Sequence, residues 1–137
     1  MSNSKQVIVM RNDLNMRKGK MVAQGAHASL KVFLNRQRNG SVREIRDTVT
    51  SDIKLQYVTQ EMREWINDGL YTKICLYVES KEELLDIYNQ AKEKNLPTSL
   101  IKDAALTEFD EPKYTACAIG PAKSEKIDKI TGDLPLL

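Results

Sequence analysis

Segments with two different spacings of apolar residues alternate along this chain, and this alternation restricts its fold more than any other feature. Short runs of apolar and β-branched residues predict buried strands over 5–10, 72–78, 98–102 and 114–119. Between these runs, apolar residues recur every three or four positions, which is the spacing of an amphipathic helix. Strands that alternate with helices indicate an α/β fold in which helices pack on a sheet.

The first helix is predicted over residues 20–35. Its apolar residues lie four, four and three positions apart, at Val22, Ala26, Leu30 and Phe33. This spacing puts them on one side of a helix, so we expect that side to pack on the sheet.

Two shorter helices carry recognisable end signals. Over residues 59–68, Thr59 can cap the start of a helix, and Gly69 follows its end. The segment Ser80–Glu83 has the spacing of a capping box, in which the Ser and Glu side chains accept hydrogen bonds from backbone N–H groups at a helix start.

The end of the chain and its middle give different patterns. A terminal helix is predicted from Pro121 to about Thr131, stopped by Gly132. Residues 36–58 mix charges with Ser and Thr without clear periodicity, so we expect a polar insertion there. Since no repeat or shift in composition marks a second domain, residues 1–137 are expected to form one.

Charge is distributed unevenly along the chain. The net charge of +2 combines a basic N-terminal third with an acidic remainder. Residues 1–46 hold ten Lys and Arg residues against two acids, whereas the other 91 residues hold eleven against seventeen. A basic segment of this kind favours contact with a polyanion such as RNA, although charge runs are also common on solvated surfaces.

The chain begins with a polar segment followed by only four apolar residues, Val7–Met10. This run is too short for the core of a signal peptide or for a membrane span, which favours a cytoplasmic protein without membrane contact. Cys75 and Cys117 lie inside apolar strand-like runs, so we expect both to be buried free thiols rather than a disulfide.

Several kinds of site are disfavoured by the residues present. The chain lacks a Gly-x-Gly-x-x-Gly motif, and it lacks a phosphate-binding loop because Leu14 stands where such a loop needs its first Gly. His27 is the only histidine and lies far in sequence from either cysteine, so a catalytic zinc site is not expected. A Ser-His-Asp triad stays open on composition, but no nucleophile-elbow sequence marks an attacking Ser.

The most informative segment is the first predicted helix. Lys20, Gln24 and His27 are spaced at i, i+4 and i+7, so they share one side of it, nearly opposite the apolar side. Two interpretations stay open, since these residues form either an ordinary solvated face or a functional group. The small residues around them, such as Ala23 and Gly25, would let a substrate or another backbone approach closely.

A series of short segments, in this order along the chain, matches one known family. The segments are Lys5–Leu14, Gly19–Lys20, Ala23–Gln24, His27–Ala28, Thr72–Ile74, Glu82–Leu84, Leu96–Pro97, Leu100–Ala104, Thr107–Glu108, Ala118–Ala122 and Ile127–Gly132. Together they resemble the type 2 peptidyl-tRNA hydrolases, the archaeal and eukaryotic form of that enzyme. The resemblance spans nearly the whole chain except residues 36–58.

The resemblance implies a single three-layer α/β domain whose mixed sheet of about four strands is flanked by helices. It also implies a cytoplasmic enzyme that hydrolyses the ester bond of peptidyl-tRNA and so releases peptide and free tRNA, which translation reuses. Peptidyl-tRNA is the expected partner, and neither a metal nor another cofactor is expected. The family's catalytic residues correspond to Lys20, Gln24, His27, Asp103 and Thr107.

Chemical roles are assigned to these five residues as hypotheses. Asp103 would orient the attacking water as a base, and Lys20 would stabilise both Asp103 and the developing oxyanion. Gln24 and Thr107 would donate neutral hydrogen bonds or hold water. His27 would relay protons or stack beside the terminal adenosine, and a purely structural histidine is the alternative.

The basic N-terminal third supplies the expected contacts with the tRNA backbone. The candidates are Arg11, Arg17, Lys18, Lys31, Arg36, Arg38, Arg43 and Arg46. Such phosphate contacts would make the affinity fall as the salt concentration rises. Trp65 is expected to pack in the core beside Met62 and Ile66 rather than to stack on a base.

The chain also departs from the family. Ala105 replaces a usual Gly, Glu111–Lys113 replaces a Pro-Gly-Ser/Thr turn, and the insertion over 36–58 is longer than usual. Pro112 has no access to positive φ, so the turn beside the site is expected to have another shape. The alternatives are therefore a non-catalytic tRNA-binding protein or a protein-interaction member of the same fold, and a homodimer is left open.

Overall fold

The computed structural model describes residues 3–36, 55–104 and 109–137. Within these ranges lie four strands and four helices. Their bounds are β1 Ser4–Arg11, α1 Lys18–Leu34, α2 Gln60–Asn67, β2 Lys73–Val78, α3 Lys81–Glu93, β3 Thr98–Asp103, β4 Lys113–Lys123 and α4 Ser124–Thr131. Each predicted strand and helix is present, and the bounds differ most at β4 and α4.

The four strands form one mixed sheet in the order β2-β1-β4-β3. β1 is parallel to β2, with Val9 opposite Leu76, and antiparallel to β4, with Val9 opposite Cys117. β4 is in turn antiparallel to β3. Leu136, near the end of the chain, bridges Leu76 on β2. The mixed four-strand sheet implied by the resemblance is confirmed.

Helices cover both faces of the sheet, which gives three layers. Side chains alternate between the two faces along β1, as they must in a strand. Ile8 and Met10 pack with α1 and α2, whereas Val7 and Val9 pack with α3 and α4. One hydrophobic core therefore lies on each side of the sheet, and the α/β fold class is confirmed.

The N-cap hydrogen bonds predicted for Thr59 and Ser80 are present. Thr59 Oγ1 accepts a hydrogen bond from the Met62 N–H at 3.0 Å, and Ser80 Oγ accepts one from the Glu83 N–H at 3.1 Å. Each satisfies a backbone donor that has no partner within its own helix, which stabilises a helix by about 1 kcal/mol.

The predicted packing side of α1 is wrong. Val22 is 72% exposed, Leu30 is 59% exposed, and Ala26 is exposed as well. Of the residues predicted to pack, only Phe33 is buried, and the other residues that α1 buries are Gln24, Gly25, Ala28 and Val32. Small residues on this side let the helix lie close to the strands, since a Cβ at Gly25 would be 3.7 Å from Ile8 Cγ2.

β4 extends farther than predicted and shortens the last helix. Residues 121–123, expected at the start of that helix, belong to β4 and pair with β1, where Ala122 lies opposite Lys5. α4 begins only at Ser124, whose N–H donates to Asn3 O at 2.9 Å. The start of β1 thus supplies the partner for the longer strand.

The expectations for Trp65 and Cys117 are confirmed, and the burial expected of Cys75 is wrong. Trp65 is 5% exposed, and its Nε1 donates to Thr72 O at 2.9 Å. Both cysteines are free thiols, as expected. Burial raises the pKa of Cys117 to about 12. Cys75 is exposed because β2 lies at the edge of the sheet.

Some of the sequence predictions concern residues that the structure does not describe. These are Thr107, Arg38, Arg43, Arg46 and most of the predicted polar insertion, residues 37–54. Among the residues that are described, no helix is both long and apolar enough to cross a bilayer.

Candidate active site

The first turn of α1 and the last residue of β3 meet at one end of the sheet. Lys20 Nζ lies 2.5 Å from Asp103 Oδ2. The two side chains are only 10% and 7% exposed, so this ion pair lies within the protein rather than on its surface. A helix dipole disfavours an ammonium near the helix start, and the Asp103 carboxylate compensates for that.

Gln24, one turn after Lys20, joins this ion pair to a central strand of the sheet. Its Nε2 lies 3.5 Å from Asp103 Oδ2, at the outer limit of hydrogen bonding. Its Oε1 accepts a short hydrogen bond from Thr115 Oγ1 on β4. Because Thr115 is fully buried, its hydroxyl fixes the Gln24 amide with the NH₂ group toward Asp103.

The alignment of α1 along β3 brings these side chains together. Ser99 Oγ donates to Ala28 O at 2.7 Å, and Lys31 Nζ donates to Leu100 O at 3.0 Å. These bonds tie the second half of α1 to the first half of β3. The start of the helix is thereby held next to Asp103, where the strand ends.

Phe109 also borders the ion pair. Its ring centroid lies 5.4 Å from Lys20 Nζ, close enough for a cation–π attraction, and it packs against the core under α1. Neither Phe109 nor Thr115 was predicted as a site residue. Thr115 is one of several Thr residues in strand-like segments, and Phe109 lies outside the predicted strands and helices, so no local pattern distinguishes either of them.

The structure gives different surroundings to the three residues predicted to share one side of α1, which are Lys20, Gln24 and His27. Gln24 is buried, Lys20 reaches Asp103, and His27 is exposed. The prediction that all three share an outer face is therefore wrong for Gln24, because the packing side of α1 lies elsewhere than expected. The structure does bring Lys20, Gln24 and Asp103 together, whereas Thr107 is outside the described residues.

The basic candidates fall into two groups among the described residues. Arg17 and Lys18 are exposed at the start of α1, directly before the Lys20 turn. Three further candidates lie elsewhere in the fold: Arg11 contacts Asp13 and Tyr114, Lys31 contacts Leu100, and Arg36 contacts Tyr57. Among the basic candidates, Arg17 and Lys18 are thus the nearest in sequence to Lys20.

The grouped side chains are suited to hydrolysis. A carboxylate with an ammonium and an amide donor beside it can orient a water and stabilise negative charge on a neighbouring oxygen. Within the described ranges, no three His, Cys, Asp or Glu side chains come close enough together to hold a metal ion.

Comparison with known proteins identifies the family. A family model described as peptidyl-tRNA hydrolase PTH2 matches residues 4–137. The chain is 44% identical to a peptidyl-tRNA hydrolase of Methanocaldococcus jannaschii over 133 residues, which cover 97% of this chain and 99% of the relative. It is 41% identical to that of Methanopyrus kandleri, with 97% of each chain covered. For that of Sulfolobus acidocaldarius the identity is 39%, over 97% of this chain and 99% of the relative.

The chain belongs to the PTH2 family of peptidyl-tRNA hydrolases. The resemblance found in the sequence is confirmed by this result.

Among PTH2 proteins, this chain was expected to differ at Glu111–Lys113. Here Lys113 Nζ lies 3.1 Å from Glu111 Oε1, and Lys113 still pairs with Asp103 across β4 and β3. Asp103, at the end of β3, is therefore paired with the residue that ends this segment.

Proposed function

We propose that the protein hydrolyses the ester bond of peptidyl-tRNA at the group formed by Lys20, Gln24 and Asp103. The observation that carries this proposal is the buried contact of 2.5 Å between Lys20 and Asp103, with the Gln24 amide beside it. Membership of the PTH2 family supports the substrate class.

In this proposal, Asp103 accepts a proton from a water while that water attacks the carbonyl carbon of the ester. Negative charge moves onto the carbonyl oxygen, where Lys20 Nζ–H and Gln24 Nε2–H donate hydrogen bonds. When the tetrahedral intermediate collapses, the bond to the ribose oxygen breaks, and that oxygen receives the proton held by Asp103. The products are a peptide carboxylic acid, which ionises, and free tRNA. Thr107 is retained as a further donor in this proposal.

Thr115 acts through Gln24 rather than on the substrate. Its hydroxyl holds the Gln24 carbonyl oxygen, which leaves the amide NH₂ group for Asp103 and the substrate oxygen. Preorganised donors of this kind stabilise developing charge because they need no reorientation during the reaction. Thr115 is therefore a positioning residue.

Arg17 and Lys18 are proposed to contact phosphates of the tRNA near its acceptor end, because they are exposed beside the turn that carries Lys20. His27 is proposed to contact the substrate from the exposed side of α1. The remaining basic candidates would contact the tRNA farther away. Phosphate contacts make affinity fall with salt, so an affinity for tRNA that is indifferent to ionic strength would contradict this part of the proposal.

The proposed setting is the cytoplasm, where translation produces peptidyl-tRNA, with residues 1–137 acting as one domain.

The proposal is tested by measuring release of free tRNA from an N-acetylated aminoacyl-tRNA by the purified protein in the presence of a chelator. Tight binding of this substrate without turnover would instead favour the non-catalytic tRNA-binding alternative.

A further inference from the structure

The aromatic ring of Phe109 lies beside the ammonium group of Lys20, and the proposed mechanism gives it no role. Phe109 follows Asp103 in the connection between β3 and β4. Its ring centroid lies 5.4 Å from Lys20 Nζ, and the same Nζ lies 2.5 Å from Asp103 Oδ2. The connection that leaves β3 at the carboxylate therefore returns an aromatic ring to the cation of the same ion pair.

The surroundings of this contact make it stronger than a contact on the surface. The Lys20 side chain is only 10% exposed, and Phe109 is half-buried because it packs against the core under α1. The face of an aromatic ring is electron-rich and attracts a cation within about 6 Å of its centroid, more strongly where water is excluded. Packing against the core also limits the movement of the ring, so the attraction favours one position of the ammonium.

We propose that Phe109 is a positioning residue, which holds the Lys20 ammonium beside the oxygen that becomes negatively charged during ester hydrolysis. This inference rests on the proposed function. Lysine has a flexible stem of four carbons, and its ammonium has three N–H donors. One donor is directed to Asp103, so in this mechanism a further donor must be aimed at the substrate oxygen.

The proton transfer in the reaction is the step at which the ring matters most. When Asp103 accepts a proton from the attacking water, the carboxyl becomes neutral and its attraction for Lys20 weakens. The ring of Phe109 has no ionisable group, so its attraction for the ammonium is the same before and after that proton moves. Phe109 therefore keeps the donor in place while the carboxylate loses its charge.

The test is a series of proteins in which Phe109 alone carries one, two or three fluorine atoms on its ring. Fluorine withdraws electron density from the ring face and changes the ring volume little, so it weakens the attraction for a cation while packing is kept. We expect log kcat on an N-acetylated aminoacyl-tRNA to fall in proportion to the number of fluorine atoms, by about tenfold in total, with KM unchanged. A tenfold change corresponds to about 1.4 kcal/mol, within the range of a cation–π contact that is sheltered from water.

Phe33 is the matched control for fluorination. It is the other phenylalanine of the chain and belongs to the same core, where its ring centroid lies 6.0 Å from that of Trp65. The same fluorinated rings at position 33 should leave kcat unchanged. Phe109→Tyr keeps an electron-rich ring and should retain kcat within about threefold. Phe109→Leu, which keeps apolar packing without a ring, should match the protein with three fluorine atoms.

A second measurement tests the contact without any reaction. In urea unfolding, three fluorine atoms at Phe109 should lower the midpoint of the wild type but not that of Lys20→Met, which has no cation beside the ring. Absence of turnover in the wild type would mean that the proposed function fails. Equal midpoint shifts in the two proteins would mean instead that this inference fails, so the two failures are distinguishable.

Two kinetic results would also overturn the inference. A kcat that is indifferent to fluorine at Phe109 would leave this residue as a part of the core without a positioning role. A fluorine series that raises KM and leaves kcat unchanged would mean that the ring contacts the substrate rather than positions Lys20.

Discussion

Lys20 Nζ lies 2.5 Å from Asp103 Oδ2, so the first turn of α1 and the end of β3 are joined by a buried ion pair. The two residues are 83 positions apart in the chain. Removal of one partner from a buried pair leaves the other charge without compensation, whereas removal of both can be nearly neutral. The pair is therefore expected to matter for stability as well as for the reaction.

The first prediction concerns this coupling. Lys20→Met should lower the free energy of unfolding by about 3 kcal/mol, because the Asp103 carboxylate stays buried without its cation. Combining Lys20→Met with Asp103→Asn should restore most of that loss. Urea unfolding of the two single variants, the double variant and the wild type measures the interaction. Strictly additive effects would contradict a buried ion pair.

The second prediction concerns the positioning role of Thr115. Thr115→Val keeps the size of the side chain but leaves the buried Gln24 carbonyl oxygen without its donor. We expect kcat to fall about tenfold with KM little changed, and stability to fall by about 1 kcal/mol. Thr115→Ser should restore kcat. Thr131→Val, at another buried Thr whose hydroxyl donates to Ile127 O, is the control and should leave kcat unchanged.

The third prediction concerns His27, which is exposed on α1. An exposed side chain that contacts the substrate adds binding energy without taking part in proton transfer, so His27→Ala should raise KM and leave kcat within about threefold. Steady-state kinetics on one N-acetylated aminoacyl-tRNA separate the two effects. A fall in kcat comparable to that of Asp103→Asn would instead assign His27 to the reacting group.

The fourth prediction concerns alkaline pH. Burial raises the pKa of Cys117 from 9.0 to about 12. The unfolded chain therefore releases this proton first, so the contribution of Cys117 is fully present below pH 9 and is lost as the pH rises toward 12. The loss amounts to about 1.4 kcal/mol per pH unit. Cys117→Ala should flatten the fall of unfolding free energy between pH 9 and 10.5, whereas Cys75→Ala, at an exposed thiol, should not. Equal slopes of unfolding free energy against pH for the wild type and Cys117→Ala would contradict this prediction.

Apolar periodicity predicted the elements but not the packing side of α1. Val22, Ala26 and Leu30 follow helical spacing, yet they face solvent. The side that faces the sheet is rich in small and polar residues because α1 approaches the strands closely at Gly25 and carries Gln24 into the site. A pattern that counts apolar residues misplaces this face. It treats the buried Gln24 as a solvent-facing residue and the exposed Val22 and Leu30 as core residues.

Contacts between distant segments account for the other differences. β4 continues to Lys123 because the start of β1 pairs with it, and local sequence around Pro121 does not contain that information. Thr115 likewise gains its role only from Gln24, 91 positions away. Lys20, Gln24 and Asp103 could be named in advance because the sequence resembles a family, and the packing of α1 on β3 then explains why they meet.

The measurement that tests the central claim most directly is single-turnover release of tRNA from an N-acetylated aminoacyl-tRNA, with chelator present. The wild type, Asp103→Asn and Asp13→Asn are compared, since Asp13 is an exposed carboxylate that pairs with Arg11. We expect Asp103→Asn to be slower by a factor of about 100 or more while it remains folded, and Asp13→Asn to match the wild type. A folded Asp103→Asn protein that releases tRNA at the wild-type rate would contradict the proposed active site.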